Sequence, residues 1–143
     1  MPRRLLLIQL SLLLFFLSGC ATKKKYIGKS LPPDYYVCST RSFPAKCYQG
    51  SEYFRVDYEL TKLEGSVYLL TGTVEELGGA FRGARGSVRV DLVFILIKDN
   101  IVVDAIETST VGAVTSMRFK KRFISEVDFD GITITYAYGT GTG

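Results

Sequence analysis

The feature that most constrains the fold of this chain is a strict alternation of apolar and charged residues that starts just after residue 52. Apolar side chains stand at the even positions and charged ones at the odd positions: Phe54, Val56, Tyr58 and Leu60 against Arg55, Asp57 and Glu59. Successive side chains of a β-strand point to opposite faces of a sheet. The period of two therefore predicts a strand with one buried and one solvated face.

Five further segments show strand patterns, and turn residues separate them. They lie at about 68–74, 87–97, 101–107, 117–124 and 132–138. The segment 87–97 is apolar on most of both faces, which is typical of a central, doubly covered strand. Lys98-Asp99-Asn100 predicts a tight turn after it. Six short strands without a convincing helical stretch predict an all-β fold, either an antiparallel β-sandwich or a small barrel.

Four features of the second half of the chain are shared with one group of known domains. They are Gly72-Thr73-Val74, the alternating strand from Val88 to Leu96, the turn into Val102-Val103-Asp104, and Phe119. Through them the chain from about Tyr68 to Tyr138 resembles the small immunoglobulin-like domains of bacterial envelope proteins, such as the FxLYD type. It departs from that family at Glu75-Glu76, where an asparagine is common, and it lacks the Phe-x-Leu-Tyr-Asp string. The resemblance implies an immunoglobulin-like sandwich and no particular function.

The first 20 residues have a charged start, an apolar middle and an end of small residues. Arg3 and Arg4 precede an almost unbroken apolar run of 13 residues, 5–17. This order is that of a secretory signal peptide. A transmembrane helix needs about 20 apolar residues, so the run is too short for a membrane-spanning anchor.

Leu17-Ser18-Gly19-Cys20 closes this segment and resembles the lipobox of bacterial lipoproteins. The resemblance implies cleavage before Cys20, a diacylglyceryl thioether on its sulfur and a further amide-linked acyl chain. Two or three chains anchor a protein stably, whereas one chain holds it reversibly. Ala21 and Thr22 stand where an aspartate would favour the inner membrane. We therefore expect the outer membrane, on its periplasmic side, or the cell surface of a single-membraned bacterium.

These boundaries divide the chain into a signal peptide (1–19), a lipidated tether (20–33) and a domain (34–143). Removal of the signal peptide leaves 143 − 19 = 124 residues, enough for one domain. The tether is basic, with Lys23, Lys24, Lys25 and Lys29, and Pro32-Pro33 stiffens its end. Its lysines are either part of a solvated linker or contacts to anionic lipid headgroups.

Cys38 and Cys47 are the two cysteines that remain once Cys20 carries lipid. An exported protein enters an oxidising compartment, which favours a disulfide between them. Closing a loop of about 10 residues should stabilise the fold by roughly 2.7 kcal/mol. A redox-active pair usually has the spacing Cys-x-x-Cys, whereas eight residues separate these two, so we predict a structural disulfide in the first part of the domain.

Two basic groups are candidate binding surfaces. The first lies in the glycine-rich stretch 78–86, where Phe81 offers an apolar contact and Arg82 and Arg85 offer forks for a carboxylate or phosphate. The alternative interpretation is that this stretch is only a flexible connection between two strands. It does not complete a phosphate-binding loop, because Ala84 and Arg85 stand where that motif requires Lys and Ser or Thr.

The second group is Arg118, Lys120 and Arg122, which share one face of the strand predicted at 117–124. It is either a charged edge that discourages aggregation or a stripe that binds a phosphate-bearing glycolipid or an acidic partner. Lys121 falls on the apolar face of the same strand. Its position predicts a bulge or a strand end there.

The residue types argue against an enzyme. The chain has no histidine, so it lacks the commonest general base and metal ligand, and a Ser-His-Asp triad is impossible. Glu126, Asp128 and Asp130 precede Gly131 without completing a calcium-binding loop, and they predict a turn instead. We expect no catalytic residue, no metal and no cofactor apart from the lipid on Cys20.

The charge of the mature chain is mild, with 18 − 2 = 16 basic residues against 14 acidic ones. This balance and the export signal argue against nucleic acid as a partner. The sequence predicts a lipid-anchored, non-catalytic binding or assembly module for another envelope protein, reached through a strand edge or the stretch 78–86. The alternative is a periplasmic ligand carrier or small hydrolase. A polar pocket would favour the alternative, and a filled core with an exposed apolar patch would favour the module.

Overall fold

Eight β-strands form two antiparallel sheets in a computed structural model of the chain, which describes residue 23 and residues 25–77, 88–112 and 116–140. The strands are β1 (Cys38–Ser39), β2 (Ala45–Gly50), β3 (Phe54–Lys62), β4 (Val67–Glu76), β5 (Val88–Lys98), β6 (Ile101–Gly112), β7 (Ser116–Ile124) and β8 (Gly131–Thr140). Sheet I has the order β1-β8-β5-β6, and sheet II has the order β2-β3-β4-β7.

The two sheets pack face to face as a β-sandwich, so the predicted sandwich is confirmed. They do not close into the alternative barrel. Sheet II contains the three successive strands β2, β3 and β4 side by side. This order differs from that of a constant-type immunoglobulin domain, whose sheets contain strands ABED and CFG.

The six predicted strands correspond to β3–β8, and most extend a few residues beyond the predicted ends. The largest extension is at β6, which continues to Gly112. The sequence did not reveal β1 and β2, which lie in the segment without clear periodicity. The predicted turn between β5 and β6 is confirmed. Asp99 and Asn100 both have positive φ, 49° and 65°, as a two-residue hairpin turn of type I′ requires.

The core consists of the alternating side chains that each sheet directs toward the other. Fully buried members from sheet II include Val56, Leu60, Leu70 and Val74, and those from sheet I include Val90, Leu92, Phe94, Ile132 and Ile134. Each side chain of this size contributes about 1.5–3 kcal/mol when it leaves water. Gly72 allows the Phe119 ring into this core, because a Cβ there would lie 2.6 Å from Phe119 Cζ.

The N-terminal segment packs on the outside of sheet I. Gly28 donates its N–H to the Val102 carbonyl (2.8 Å), and Val102 donates to the Lys29 carbonyl (2.9 Å). Tyr26 and Leu31 cover a second apolar cluster made of Ile95, Ile97 and Val102. Strand β5 is therefore covered on both faces, as its sequence predicts. Part of the segment that the sequence assigns to a solvated tether lies against the sheet.

Among the described residues, no helix has the length and apolarity needed to cross a bilayer.

Candidate functional site

The two sheets meet along two lateral sides, and these sides differ in how they are closed. On the β1/β2 side a disulfide joins Cys38 of sheet I to Cys47 of sheet II, with a Cα–Cα distance of 5.9 Å. Both cysteines are buried. The predicted disulfide is thus confirmed, and it links two strands of opposite sheets. We call this side the closed side.

A glutamine side chain completes the closed side where β1 ends. Within the described residues, the ladder between β1 and β8 consists of two pairs, Cys38 with Ile132 and Ser39 with Gly131. Beyond it, Gln49 Nε2 donates to the Ile134 carbonyl (2.9 Å), and Gln49 Oε1 accepts the Ile134 N–H (3.1 Å). The Thr133 hydroxyl also donates to Gln49 Oε1 (3.0 Å). One carboxamide therefore makes the pair of hydrogen bonds that a residue of a neighbouring strand would make.

Next to Gln49, a groove of about 330 Å³ opens at the surface. It is lined by Asp34, Tyr35, Tyr36, Gln49, Gly50, Ser51, Ile134 and Thr135. Tyr36 is 49% exposed, and its ring centroid lies 6.5 Å from that of Tyr48, which is 60% exposed. The Arg55 guanidinium lies 5.5 Å from the Tyr48 ring centroid. We call the groove together with Tyr48 the tyrosine groove.

A buried tyrosine lies in the adjacent core. Tyr58 is almost fully buried, its ring packs edge-on against Phe94 at 5.2 Å, and its hydroxyl has no hydrogen-bond partner within the described part of the chain. Burial raises the pKa of the Tyr58 phenol far above its ordinary value, and Tyr36 raises it further. Tyr58 therefore remains neutral and cannot act as a general base near neutral pH.

On the opposite lateral side, strands β6 and β7 leave a cleft of about 280 Å³ between the sheets. It is lined by Lys23, Ala105, Ile106, Glu107, Lys121, Phe123 and Ile124. The Thr110 hydroxyl bridges the same two strands farther along, where it donates to the Arg118 carbonyl (3.0 Å). We call this the open side and its cleft the open cleft.

Lys121 occupies an apolar position of β7 without disturbing the strand. The pairing of β7 with β4 is regular through Lys121, which lies opposite Leu70. The prediction of a bulge or a strand end at Lys121 is therefore wrong. The physical reason is that β7 is an edge strand, so a half-buried lysine there can extend its ammonium group along the open cleft into water.

Arg118, Lys120 and Arg122 are exposed on the outer face of β7, which confirms that they share one face. We call them the basic stripe. On the neighbouring strand β4 they lie opposite Thr73, Thr71 and Leu69, none of which is charged. The acids one strand farther are engaged by other cations. Asp57 pairs with Arg55 at 2.9 Å, and Glu59 lies 3.8 Å from Lys46.

The chain enters the domain at the open side. Lys23 Nζ lies 3.1 Å from Asp104 Oδ1 on β6, and the same carboxylate oxygen accepts the Ala105 N–H at 2.8 Å. Asp104 is 9% exposed, so Lys23 partly compensates a nearly buried charge.

The acids after β7 belong to the connection with β8. Lys98 Nζ lies 3.0 Å from Asp128 Oδ2 and 3.9 Å from Asp130 Oδ2. The hydrogen bond from Lys98 and its charge lower the pKa of Asp128. Glu126 accepts a long hydrogen bond (3.4 Å) from the Ser66 hydroxyl. These side chains are thus engaged with neighbours on other turns and strands.

Four predicted site residues lie outside the described residues: Cys20, Phe81, Arg82 and Arg85. The basic stripe and Tyr48 share the outer face of sheet II but lie on its two edge strands, β7 at the open side and β2 at the closed side. The sequence contained no signal for Gln49 or for the Tyr36–Tyr48 pair, because the contacts of both depend on strands that the periodicity did not reveal.

This arrangement offers binding surfaces of two kinds. One is aromatic with a few polar groups, and the other is cationic beside an apolar cleft. Comparisons of the chain with protein-family models, with curated proteins and with solved structures found no match.

Proposed function

We propose that this protein is a lipid-anchored, non-catalytic binding module of the bacterial cell envelope, and that it holds another envelope protein at the tyrosine groove. The observation that carries the proposal is the pair of exposed tyrosines, Tyr36 and Tyr48, beside a surface groove. Large exposed aromatic side chains next to a concave surface are typical of protein-binding sites.

Tyrosine suits such a site, because its ring gives contact area with few rotatable bonds and its hydroxyl adds a hydrogen bond. The groove also reaches the edge of β8. Because the N–H and C=O of Ile134 are directed to Gln49, the alternation of an antiparallel strand directs those of Tyr136 to the same edge. An extended segment of the partner would continue the ladder that Gln49 begins.

The core favours the binding module over a ligand carrier or hydrolase. The described inner faces are filled by side chains with almost no exposed surface, such as Leu60, Leu92 and Phe94. The tyrosine groove and the open cleft both lie at the lateral surface of the sandwich. A filled core with an exposed aromatic patch is the combination that we expect of a module.

The proposed anchor is based on the lipobox Leu17-Ser18-Gly19-Cys20. Because Ala21, and not an aspartate, follows the modified cysteine, the proposed location is the periplasmic face of the outer membrane. We expect Cys20→Ala to abolish incorporation of labelled palmitate, because it removes the sulfur that accepts the diacylglyceryl group. Equal labelling of this variant and the unaltered chain would contradict the proposed anchor.

The binding surface is tested by site-specific photocrosslinking in intact cells. A photoreactive phenylalanine analogue at position 48 should capture one envelope protein, identified by mass spectrometry, whereas the same analogue at position 120 should not. With the purified partner, changing Tyr36 and Tyr48 together to serine should weaken affinity by at least about tenfold, as for central aromatic residues of interfaces.

Tyr53→Ser is the matched control, because Tyr53 is also exposed but does not line the groove. Its affinity should stay within about twofold of the unaltered protein. Capture with equal yield from positions 48 and 120, or unchanged affinity of the double serine variant, would refute the tyrosine groove as the binding surface.

A further inference from the structure

We infer that the open side of the sandwich lies on the membrane that carries the anchor, with the basic stripe against anionic lipid headgroups. This inference rests on the proposed lipid anchor at Cys20. It goes beyond the anchor, because it assigns a second membrane contact and fixes which side of the domain faces away from the lipid.

Only a short stretch of chain separates Cys20 from the open side. Cys20 precedes Lys23 by three residues, and three residues span at most about 11 Å when fully extended. Lys23 is held at β6 by Asp104, and residues 28–30 continue along the start of the same strand. A lipid on Cys20 must therefore enter the bilayer close to the open cleft.

The open side carries more positive than negative side chains. The basic stripe contributes three cations, and Lys23 and Lys121 add two at the cleft, against the carboxylates of Asp104 and Glu107. Attraction to an anionic bilayer decays within about 8 Å at physiological ionic strength. The connection to Cys20 keeps the open side near the bilayer, and contact of this side with the headgroups brings its cations within that range.

An exposed apolar residue lies at the end of the basic stripe. Ile124 is 63% exposed and forms part of the rim of the open cleft. Surfaces that bind membranes peripherally combine apolar side chains, which enter the headgroup region, with cations that pair with the headgroups. Ile124 next to Arg122 has this combination.

The position of the tyrosine groove agrees with this orientation. It lies at the β1/β2 side, and the open side at β6/β7 is the opposite lateral side of the same sandwich. Tyr48 shares the outer face of sheet II with the basic stripe but lies on β2, three strands and about 14 Å from β7. With β6 and β7 toward the lipid, Tyr36 and Tyr48 are at the edge of the sandwich farther from the membrane, where a protein partner can reach them.

The chain has no tryptophan, so one introduced tryptophan reports on a single position. The full chain, expressed in a bacterial host, yields the acylated protein, whose lipid is verified by mass. The Ile124→Trp variant is placed in phosphatidylglycerol vesicles with brominated acyl chains, which quench a tryptophan that enters the bilayer. Its emission should be quenched and shifted to shorter wavelength. The Tyr48→Trp variant, on the opposite edge strand of sheet II, should show neither change.

The role of charge is tested in the Ile124→Trp protein by changing Arg118, Lys120 and Arg122 to glutamine. Each cation near an anionic surface changes the equilibrium by about fivefold, so the ratio of docked to undocked protein should fall roughly 100-fold and the quenching should disappear. Quenching of the Ile124→Trp protein should also be weaker in vesicles of brominated phosphatidylcholine, which has no net charge, and at high salt, which screens the headgroups. Changing Lys46 and Arg55, on the far half of sheet II, to glutamine should leave it unchanged.

Each outcome decides the inference. Quenching confined to the Ile124→Trp variant and dependent on the basic stripe supports it. If the protein is acylated but neither tryptophan is quenched, or both are quenched equally, the proposed orientation is wrong and the anchor is retained. The ligand of the basic stripe would then be sought among soluble acidic proteins. Absence of the acyl mass means that the proposed anchor itself has failed, and the inference falls with it.

Discussion

The closed and open sides of this sandwich protect the backbone groups of their edge strands in different ways. Each side has to satisfy or protect the backbone groups of edge strands, which otherwise pair with other chains. The closed side uses the disulfide between Cys38 and Cys47 and the carboxamide of Gln49. The open side uses charge, with Lys121 in the cleft and the basic stripe on the outer face of β7.

The two sides also differ in the chemical character of the side chains that they expose. A covalently closed side can expose aromatic groups such as Tyr36 and Tyr48, because its strands are already joined across the sheets. A side protected by cations repels further cations and attracts anionic surfaces. The same sandwich thus has one aromatic and one cationic lateral side.

The largest effect should come from breaking the covalent closure. Changing Cys38 and Cys47 together to alanine should lower the free energy of unfolding by roughly 2.7 kcal/mol, because the unfolded chain regains the freedom of a loop of about 10 residues. Urea unfolding under oxidising conditions measures this loss. In the unaltered folded protein both cysteines should resist alkylation, and peptide mapping should find them linked.

Dithiothreitol provides the control for that comparison. It should destabilise the unaltered protein by a similar amount and leave the double alanine variant unchanged. A loss below about 1 kcal/mol in the double variant would mean that packing of Tyr36, Tyr48 and Gln49 closes this side without the disulfide.

A smaller effect is expected from Gln49, which closes the edge of β8 without a covalent bond. Gln49→Leu keeps the size of the side chain but removes three hydrogen bonds to Thr133 and Ile134. The Thr133 hydroxyl and the backbone groups of Ile134 would lose a partner at a half-buried position, which should lower the free energy of unfolding by about 1–2 kcal/mol. Hydrogen exchange should report the cause directly, as a faster rate at the Ile134 N–H.

Tyr48→Leu is the control for this position, since Tyr48 neighbours Gln49 on β2 but is exposed to solvent. Its stability should change by less than about 0.5 kcal/mol. An unchanged exchange rate at Ile134 in the Gln49→Leu variant would show that the carboxamide does not act as a substitute for a neighbouring strand.

The sequence predicted the parts of the fold that follow from alternation and turn chemistry. Strands β3–β8 have a clear period of two, and Asp99-Asn100 suits a hairpin turn, so these elements were identified. Strands β1 and β2 were not, because they are short and their pairing with β8 and β3 depends on the packing of distant segments. The strand order of the two sheets could not be predicted either, because it also depends on the packing of distant segments.

The candidate sites were predictable only where residue type alone carries the signal. The disulfide was predicted from two cysteines and an expected export signal, and the basic stripe from three cations at alternate positions. The tyrosine groove was not recognised as a groove, since Tyr36 and Tyr48 are brought together by the disulfide-linked strands. The mistake at Lys121 arose because the pattern does not say which strand lies at an edge.

Lys121 gives the smallest change in stability and the sharpest test of how the open side is protected. Lys121→Leu should leave the monomer as stable as before or up to about 1 kcal/mol more stable, because leucine would bury apolar surface beside Phe123 and Ile106 in the open cleft. The same change removes the charge that opposes pairing with a second copy. The variant should therefore self-associate as its concentration rises, which sedimentation velocity measures.

Lys120→Leu is the matched control, with the same loss of charge on the outer face of the same strand, and it should remain monomeric at concentrations at which Lys121→Leu associates. If both variants behave alike, the protection comes from the net charge of β7. If neither associates, the narrowness of the cleft, rather than charge, keeps this side closed to other chains.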